Sequence, residues 1–190
     1  LPMVVETAVR SLDLLGLEAG QTILINGGGS MVGFAAVQIA LRRGAKVITS
    51  AGDTFAGRLS DLGAKVTAYG QGMTARVRDL SGGPVDVALH AALAEGVLAD
   101  LIEAVGGDPQ RVMSISDFDE AGLGVRKTGR EPDLLPRYDA LGPYARLAAE
   151  GRFTVRGTDR FVDLPGIARA AQDAASLPEG MAPGLAAEAH

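Results

Sequence analysis

The sequence predicts an α/β protein, a Rossmann-type doubly wound parallel sheet of about six strands with helices on both faces. Three observations predict it. Short apolar runs alternate with helical segments from residue 3 to residue 116. The runs are apolar nearly throughout, as strands must be when helices cover both faces of a sheet. Between the first run and its helix stands a glycine turn, Asn26-Gly-Gly-Gly-Ser-Met-Val-Gly33. Right-handed crossovers then wind the sheet in both directions.

Residues 3–15 read as a helix, with Val4, Ala8, Leu12 and Leu15 on one face. The first strand is 21–26, and the helix after the glycine turn runs to Arg43, closed by Gly44. Strand 46–50 precedes helix 54–62, which Gly63 ends; strand 66–69 precedes a short helix over 73–80. Gly82-Gly-Pro84 breaks the chain before strand 85–89. Helix 94–105 stops at Gly106-Gly107, and 111–116 is the fifth strand. Residues 124–128 fit a sixth, edge strand, and 134–150 a longer helix interrupted by Pro136 and Pro143. Residues 153–155 read as extended and 164–176 as a helical stripe, before an Ala/Gly/Pro-rich tail over 177–190 that reads as flexible.

The 190 residues suit one domain. A net charge of -5 argues against a nucleic-acid or anionic-membrane partner, since both need a basic face. No run of 18 apolar residues occurs, which argues against a membrane span, and no secretory pattern opens the chain. The reading is therefore of a cytoplasmic protein. Zero cysteines exclude disulfides and thiolate zinc sites, and His90 and His190 lie too far apart in sequence to suggest a metal cluster.

The glycine turn carries the chemistry. Strand, turn and helix place a phosphate on a helix N-terminus, where unpaired N–H groups point at the anion. Read as G-x-G-x-x-G, the turn has Gly28 and Gly33, with Ser30 at the middle position. A glycine turn that merely packs helix on strand is the plainer alternative.

The order of motifs resembles the cofactor-binding domain of the medium-chain dehydrogenase/reductase superfamily, in its zinc-independent, quinone oxidoreductase-like branch. Gly16-Leu-Glu-Ala-Gly-Gln-Thr-Ile-Leu-Ile25 is similar to the family's "G-L-x-x-G-x-x-V-L-V". Gly27-Gly-Gly-Ser-Met-Val-Gly33 with Ala36-Val-Gln-Ile-Ala40 resembles "G-A-x-G-x-V-G-x-x-A-V-Q-L-A", and Leu62-Gly-Ala64 the "L-G-A" before the third strand. Gly83-Pro-Val-Asp-Val87 is similar to "G-x-V-D-V-V", and Arg111-Val-Met-Ser-Ile-Ser116 to "G-R-x-V-x-I-G". The resemblance spans 1–176, a leading helix, the dinucleotide domain and a remnant C-terminal helix. It implies a two-domain parent that transfers hydride between NAD(P)H and a quinone or enone. The family's N-terminal GroES-like substrate domain has no counterpart here, so the chain reads as a fragment that is inactive alone.

The same resemblance implies the site. Gly28, Ser30, Met31 and Val32 would contact the pyrophosphate through backbone N–H groups; the Ser30 hydroxyl would either crowd the phosphate or donate to it. Ser50-Ala51-Gly52 ends the second strand, where NAD-binding proteins carry an acidic residue. Ala51 in that place favours NADP, with NAD as the alternative. Arg58 is the nearby cation, although Phe55 replaces a lysine common in the family and Asp53 adds an opposing charge. Tyr69 would lie beside the 2′-phosphate or adenosine, and His90 on the adenosine side. Ile115 and Ser116 would face the nicotinamide, with Thr7 touching it from the leading helix. No catalytic residue is expected in this chain. Asp117, Asp119 and Glu120 read as a solvated loop; Arg126, Lys127 and Arg130 flank an edge strand through which a homodimer could form.

Two other classes offer alternative readings. A non-catalytic nucleotide-binding or dimerisation module would keep the fold without the reaction. A methyltransferase binding S-adenosylmethionine lacks an acidic residue in the glycine region and leaves the later motifs unexplained. Tyr138 and Tyr144 lack the Y-x-x-x-K spacing of short-chain dehydrogenases.

Overall fold

A computed structural model of the chain describes residues 2–94, 96–116, 122–128 and 136–155. Its elements in chain order are α1 (Pro2–Leu14), β1 (Thr22–Asn26), α2 (Met31–Arg42), β2 (Lys46–Ser50), α3 (Asp53–Asp61), β3 (Lys65–Thr67), α4 (Met73–Ser81), β4 (Val87–His90), α5 (Leu98–Ala104), β5 (Val112–Ser114), β6 (Arg126–Lys127) and α6 (Leu141–Ala149). The six strands form one sheet in the order β3-β2-β1-β4-β5-β6, every pair parallel. The expected doubly wound parallel sheet is therefore present.

The sheet's two faces follow from residue alternation along β1. Ile23 and Ile25 point into one core with Val5, Ala8 and Leu12 of α1 and Phe34, Val37 and Ile39 of α2. Leu24 points the other way, into a second core with Ile48, Met73, Val77, Leu98, Leu101 and Val112. Both faces are apolar, which is why these strands read as continuous hydrophobic runs. Phe153 joins the first core, 2% exposed, with its ring 5.0 Å from that of Tyr144 on α6.

Several boundaries differ from the sequence expectation, for identifiable reasons. The helix expected over 94–105 covers only Leu98–Ala104, because Gly96 adopts φ +74 and breaks the helical path. The third strand stops at Thr67, so Ala68 and Tyr69 lie beyond it. In the stretch expected as a helix over 134–150, the described part begins as irregular chain, makes a 3-10 turn at Tyr138–Ala140 and becomes helical at Leu141. Pro143 falls in the first turn of α6, where its missing N–H would have had no intrahelical partner. Residues 154–155 form no strand. The expected helix at 164–176, the tail at 177–190 and the carboxylates Asp117, Asp119 and Glu120 lie outside the described residues, as does Arg130.

Edge strand β6 sits within the expected 124–128 and is held by α1. Arg10 donates to the Thr128 carbonyl and pairs with Glu6 at 2.7 Å, while Arg126 donates to the Leu14 carbonyl. Arg137 bonds the Asp13 and Asp139 carboxylates, which ties the segment before α6 to α1. Among the described residues no helix is long and apolar enough to cross a membrane.

Burial against Phe153 pushes the Tyr144 phenol above its usual ionisation range. The neutral phenol therefore stabilises the fold below the unfolded value near 10, and that contribution is lost as pH rises through the folded value. Urea denaturation between about pH 9 and pH 11 is expected to show stability falling with pH. Tyr144→Phe should flatten that decline; an unchanged slope would remove Tyr144 as its source.

Candidate functional site

The carboxyl ends of five strands form a continuous polar row. Asn26 of β1 lies in register with Ser50 of β2 on one side and His90 of β4 on the other. Ser50 is opposite Thr67 of β3, and His90 opposite Ser114 of β5. All five are buried, from 0 to 7% exposed. Apolar strands that each finish on a polar residue thus build a polar floor at one edge. The strand order reverses between β1 and β4, and this is where ligands enter doubly wound folds.

The glycine turn rises from that floor. Gly27 has φ +93, and its N–H donates to the Ser50 carbonyl and to Ser50 Oγ, both at 3.2 Å. A Cβ on Gly27 would lie 2.6 Å from the Ala92 nitrogen, one on Gly28 2.2 Å from Thr49 Oγ1, and one on Gly33 2.1 Å from the Gly27 carbonyl oxygen. The turn therefore closes only with glycine at these places. Ser30 is the N-cap of α2: its Oγ accepts from the Gly33 N–H at 2.9 Å. That leaves Met31 and Val32, whose N–H groups have no carbonyl one turn back, at the exposed mouth of the helix.

Two expected roles change here. The Gly28 N–H donates to the Ser50 carbonyl at 3.0 Å, so Gly28 serves close approach rather than phosphate donation. The Ser30 hydroxyl oxygen caps the helix in an extended backbone conformation (φ -74, ψ 164), a role besides the two left open for it. It holds the N-terminal end of α2 in place.

The second strand's end is a close-packed corner. Ser50 and Ala51 are buried, and the Ala51 N–H donates to the Thr67 carbonyl at 3.1 Å. Gly52 is exposed and starts α3. Arg58 lies with its guanidinium carbon 5.8 Å from the Phe34 ring centroid, on the α2 side of the corner. Phe55 takes the place of the expected lysine and packs its ring on the turn, within 3.0 Å of where a Gly29 Cβ would be. Tyr69 is 42% exposed beside the same corner.

His90 is placed otherwise than expected. It is fully buried at the centre of the sheet edge, with Nδ1 3.3 Å from Asn26 Oδ1, so it organises the floor instead of presenting its ring to adenosine. Asn26 in turn donates to the Met73 sulfur at 3.5 Å. Ile115 and Ser116 follow β5, half-buried; the Ser116 hydroxyl donates to the Ala92 carbonyl at 2.5 Å and holds the loops after β4 and β5 together. Thr7 is half-buried on α1, its carbonyl accepting from Ser11 Oγ. Asn26, Thr49, Thr67 and Arg76 also build the site; the only sequence signal for the first three is a polar residue at or beside the end of an apolar run. Among the described residues no group of side chains could hold a metal ion.

No protein-family model matches the chain. It is 38% identical over 100 residues, half of this chain and 3% of the other, to erythronolide synthase EryA2 of Saccharopolyspora erythraea. An alcohol dehydrogenase superfamily protein from Novosphingobium aromaticivorans matches 94% of this chain and 59% of its own (TM-score 0.69, 24% identity). The CurK enoyl reductase matches 83% of this chain and 52% of its own (TM-score 0.63, 20% identity). The chain thus spans 3% of the synthase and little more than half the length of the two solved structures. The quinone oxidoreductase from Coxiella burnetii is a further structural match, covering 93% of this chain and 56% of its own (TM-score 0.63, 21% identity). The fold and the resemblance read from sequence agree with them.

Gly33→Ala is expected to destabilise the chain by about 1–3 kcal/mol, since the added Cβ meets a backbone carbonyl. Ser30→Ala should cost about 1 kcal/mol through loss of the cap. Chemical denaturation followed by circular dichroism measures both. A Gly33→Ala chain as stable as the original would contradict the turn described above.

Proposed function

We propose that the chain is the cofactor-binding domain of an oxidoreductase of the medium-chain type, one that reduces an enone, enoyl thioester or quinone with NADPH. The observation that carries the proposal is the glycine turn, where three glycines admit no Cβ and Met31 and Val32 present unshared N–H groups at the sheet's switch point. A pyrophosphate fits that geometry. When bound, the dinucleotide supplies hydride to an electron-poor carbon.

The residues of this chain bind and orient. Met31 and Val32 hold the pyrophosphate, and Ser30 and Gly33 keep the helix end in place. Ala51, where an acidic residue would repel a 2′-phosphate, leaves room for one, and Arg58 lies on the near side. Ile115 and Ser116 line the path toward the nicotinamide end, with Thr7 beside them. None of the described residues is assigned protonation of the substrate, and the reading leaves that step and substrate recognition to the rest of the parent enzyme. The reading includes zinc independence, a cytoplasmic location, a 1–176 domain and a homodimer joined through β6. The enoyl reductase and synthase matches support enoyl reduction beside the quinone chemistry.

Calorimetric titration with NADPH and NADH tests this. NADPH is expected to bind about tenfold tighter than NADH, a preference that Arg58→Ala should reduce. Equal binding would return NAD as the cofactor. No heat with either at millimolar concentration would favour the non-catalytic dimerisation module.

A further inference from the structure

The corner at the end of β2 is bounded by a second cation that lies on a different helix from Arg58. Arg76, in the first turn of α4, donates Nε to Thr67 Oγ1 at 3.0 Å, Nη1 to the Gln71 carbonyl at 2.9 Å, and Nη2 to the Ala68 and Tyr69 carbonyls at 3.0 and 3.4 Å. These acceptors span the whole loop from β3 to α4. Gly72 admits the fork: a Cβ there would lie 3.1 Å from Arg76 Nη1.

The placement is direct. Thr67 is the register partner of Ser50, and its carbonyl accepts from the Ala51 N–H. Arg76 is therefore one residue removed from Ala51, across the strand pair, and it holds the backbone that carries Tyr69. All its acceptors are carbonyls and a hydroxyl. Among the described residues no carboxylate pairs with it. Hydrogen bonds to neutral oxygens position a guanidinium without cancelling its field.

We propose that Arg76 is a specificity-determining residue: its charge, fixed beside Ala51 and Tyr69, selects a dinucleotide with a 2′-phosphate. The inference rests on the cofactor-domain reading above. It assigns to α4 a cation that follows the third strand, whereas Arg58 on α3 lies against Phe34.

Calorimetric titration of the full chain with NADPH and NADH decides it, using Arg76→Ala, Arg76→Gln and Arg76→Lys. Arg76→Ala is expected to weaken NADPH about tenfold and NADH less than about twofold. Arg76→Lys, which keeps the charge and loses the fork, should retain most of the preference. Equal weakening of both nucleotides would leave Arg76 a loop scaffold and overturn the proposal, as would an unchanged ratio. If Arg76→Ala does not fold, Arg76→Gln removes the charge while keeping amide donors, and the same ratio decides. No binding of either dinucleotide to the unaltered chain would sink the cofactor-domain reading, and this inference with it.

Discussion

The structure depends on a close approach of backbone to backbone at the glycine turn. With the Gly27 carbonyl where a Gly33 Cβ would lie, and the Ala92 nitrogen where a Gly27 Cβ would lie, α2 can start directly over β1. A side chain at either place pushes the helix away from the sheet. The consequence is functional as well as structural, because the two free N–H groups of α2 then open just above the switch point between β1 and β4. Helix packing and anion geometry are the same constraint seen from two sides.

Beneath the turn, the row from Thr67 through Ser50, Asn26 and His90 to Ser114 shows how an apolar sheet ends. Each strand must finish somewhere, and its last backbone groups need partners as the ladder stops. Here Ser50 takes both the Gly27 and Gly28 amides on its carbonyl, and the His90 carbonyl takes the Ile115 amide. The side chains of the row close on one another, as His90 does on Asn26. A satisfied floor lets the turn and loops above it stay in one arrangement, a precondition for orienting any ligand.

Charge is distributed unevenly round this edge. On the α1 side, Arg10, Arg126 and Arg137 meet carboxylates or carbonyls and serve to fix the edge strand and α6. Round the corner after β2, Arg58 leans on an aromatic ring and Arg76 on neutral oxygens. Asp53 places a carboxylate in the first turn of α3 beside them.

The fold class was legible in the sequence because apolar continuity and glycine punctuation are local signals. Runs such as Thr22-Ile-Leu-Ile25 have one low-energy destination, a strand covered on both faces, and Gly33 and Ser30 announce the turn. Boundaries were less legible: Gly96 and the proline-bearing start of α6 trimmed helices that periodicity alone extends. The site was read in part. The glycine turn at Met31, Val32 and Gly33 follows from the motif, but the sequence puts His90 on the adenosine side, and its complete burial emerges only once β4 lies between β1 and β5. Arg76 carries no sequence signal, since nothing local says that its guanidinium will turn back across nine positions to meet Thr67. Sequence determined what each segment is; tertiary structure decided which polar groups meet, because hydrogen-bond partners far apart in the chain are chosen only when the strands take their order.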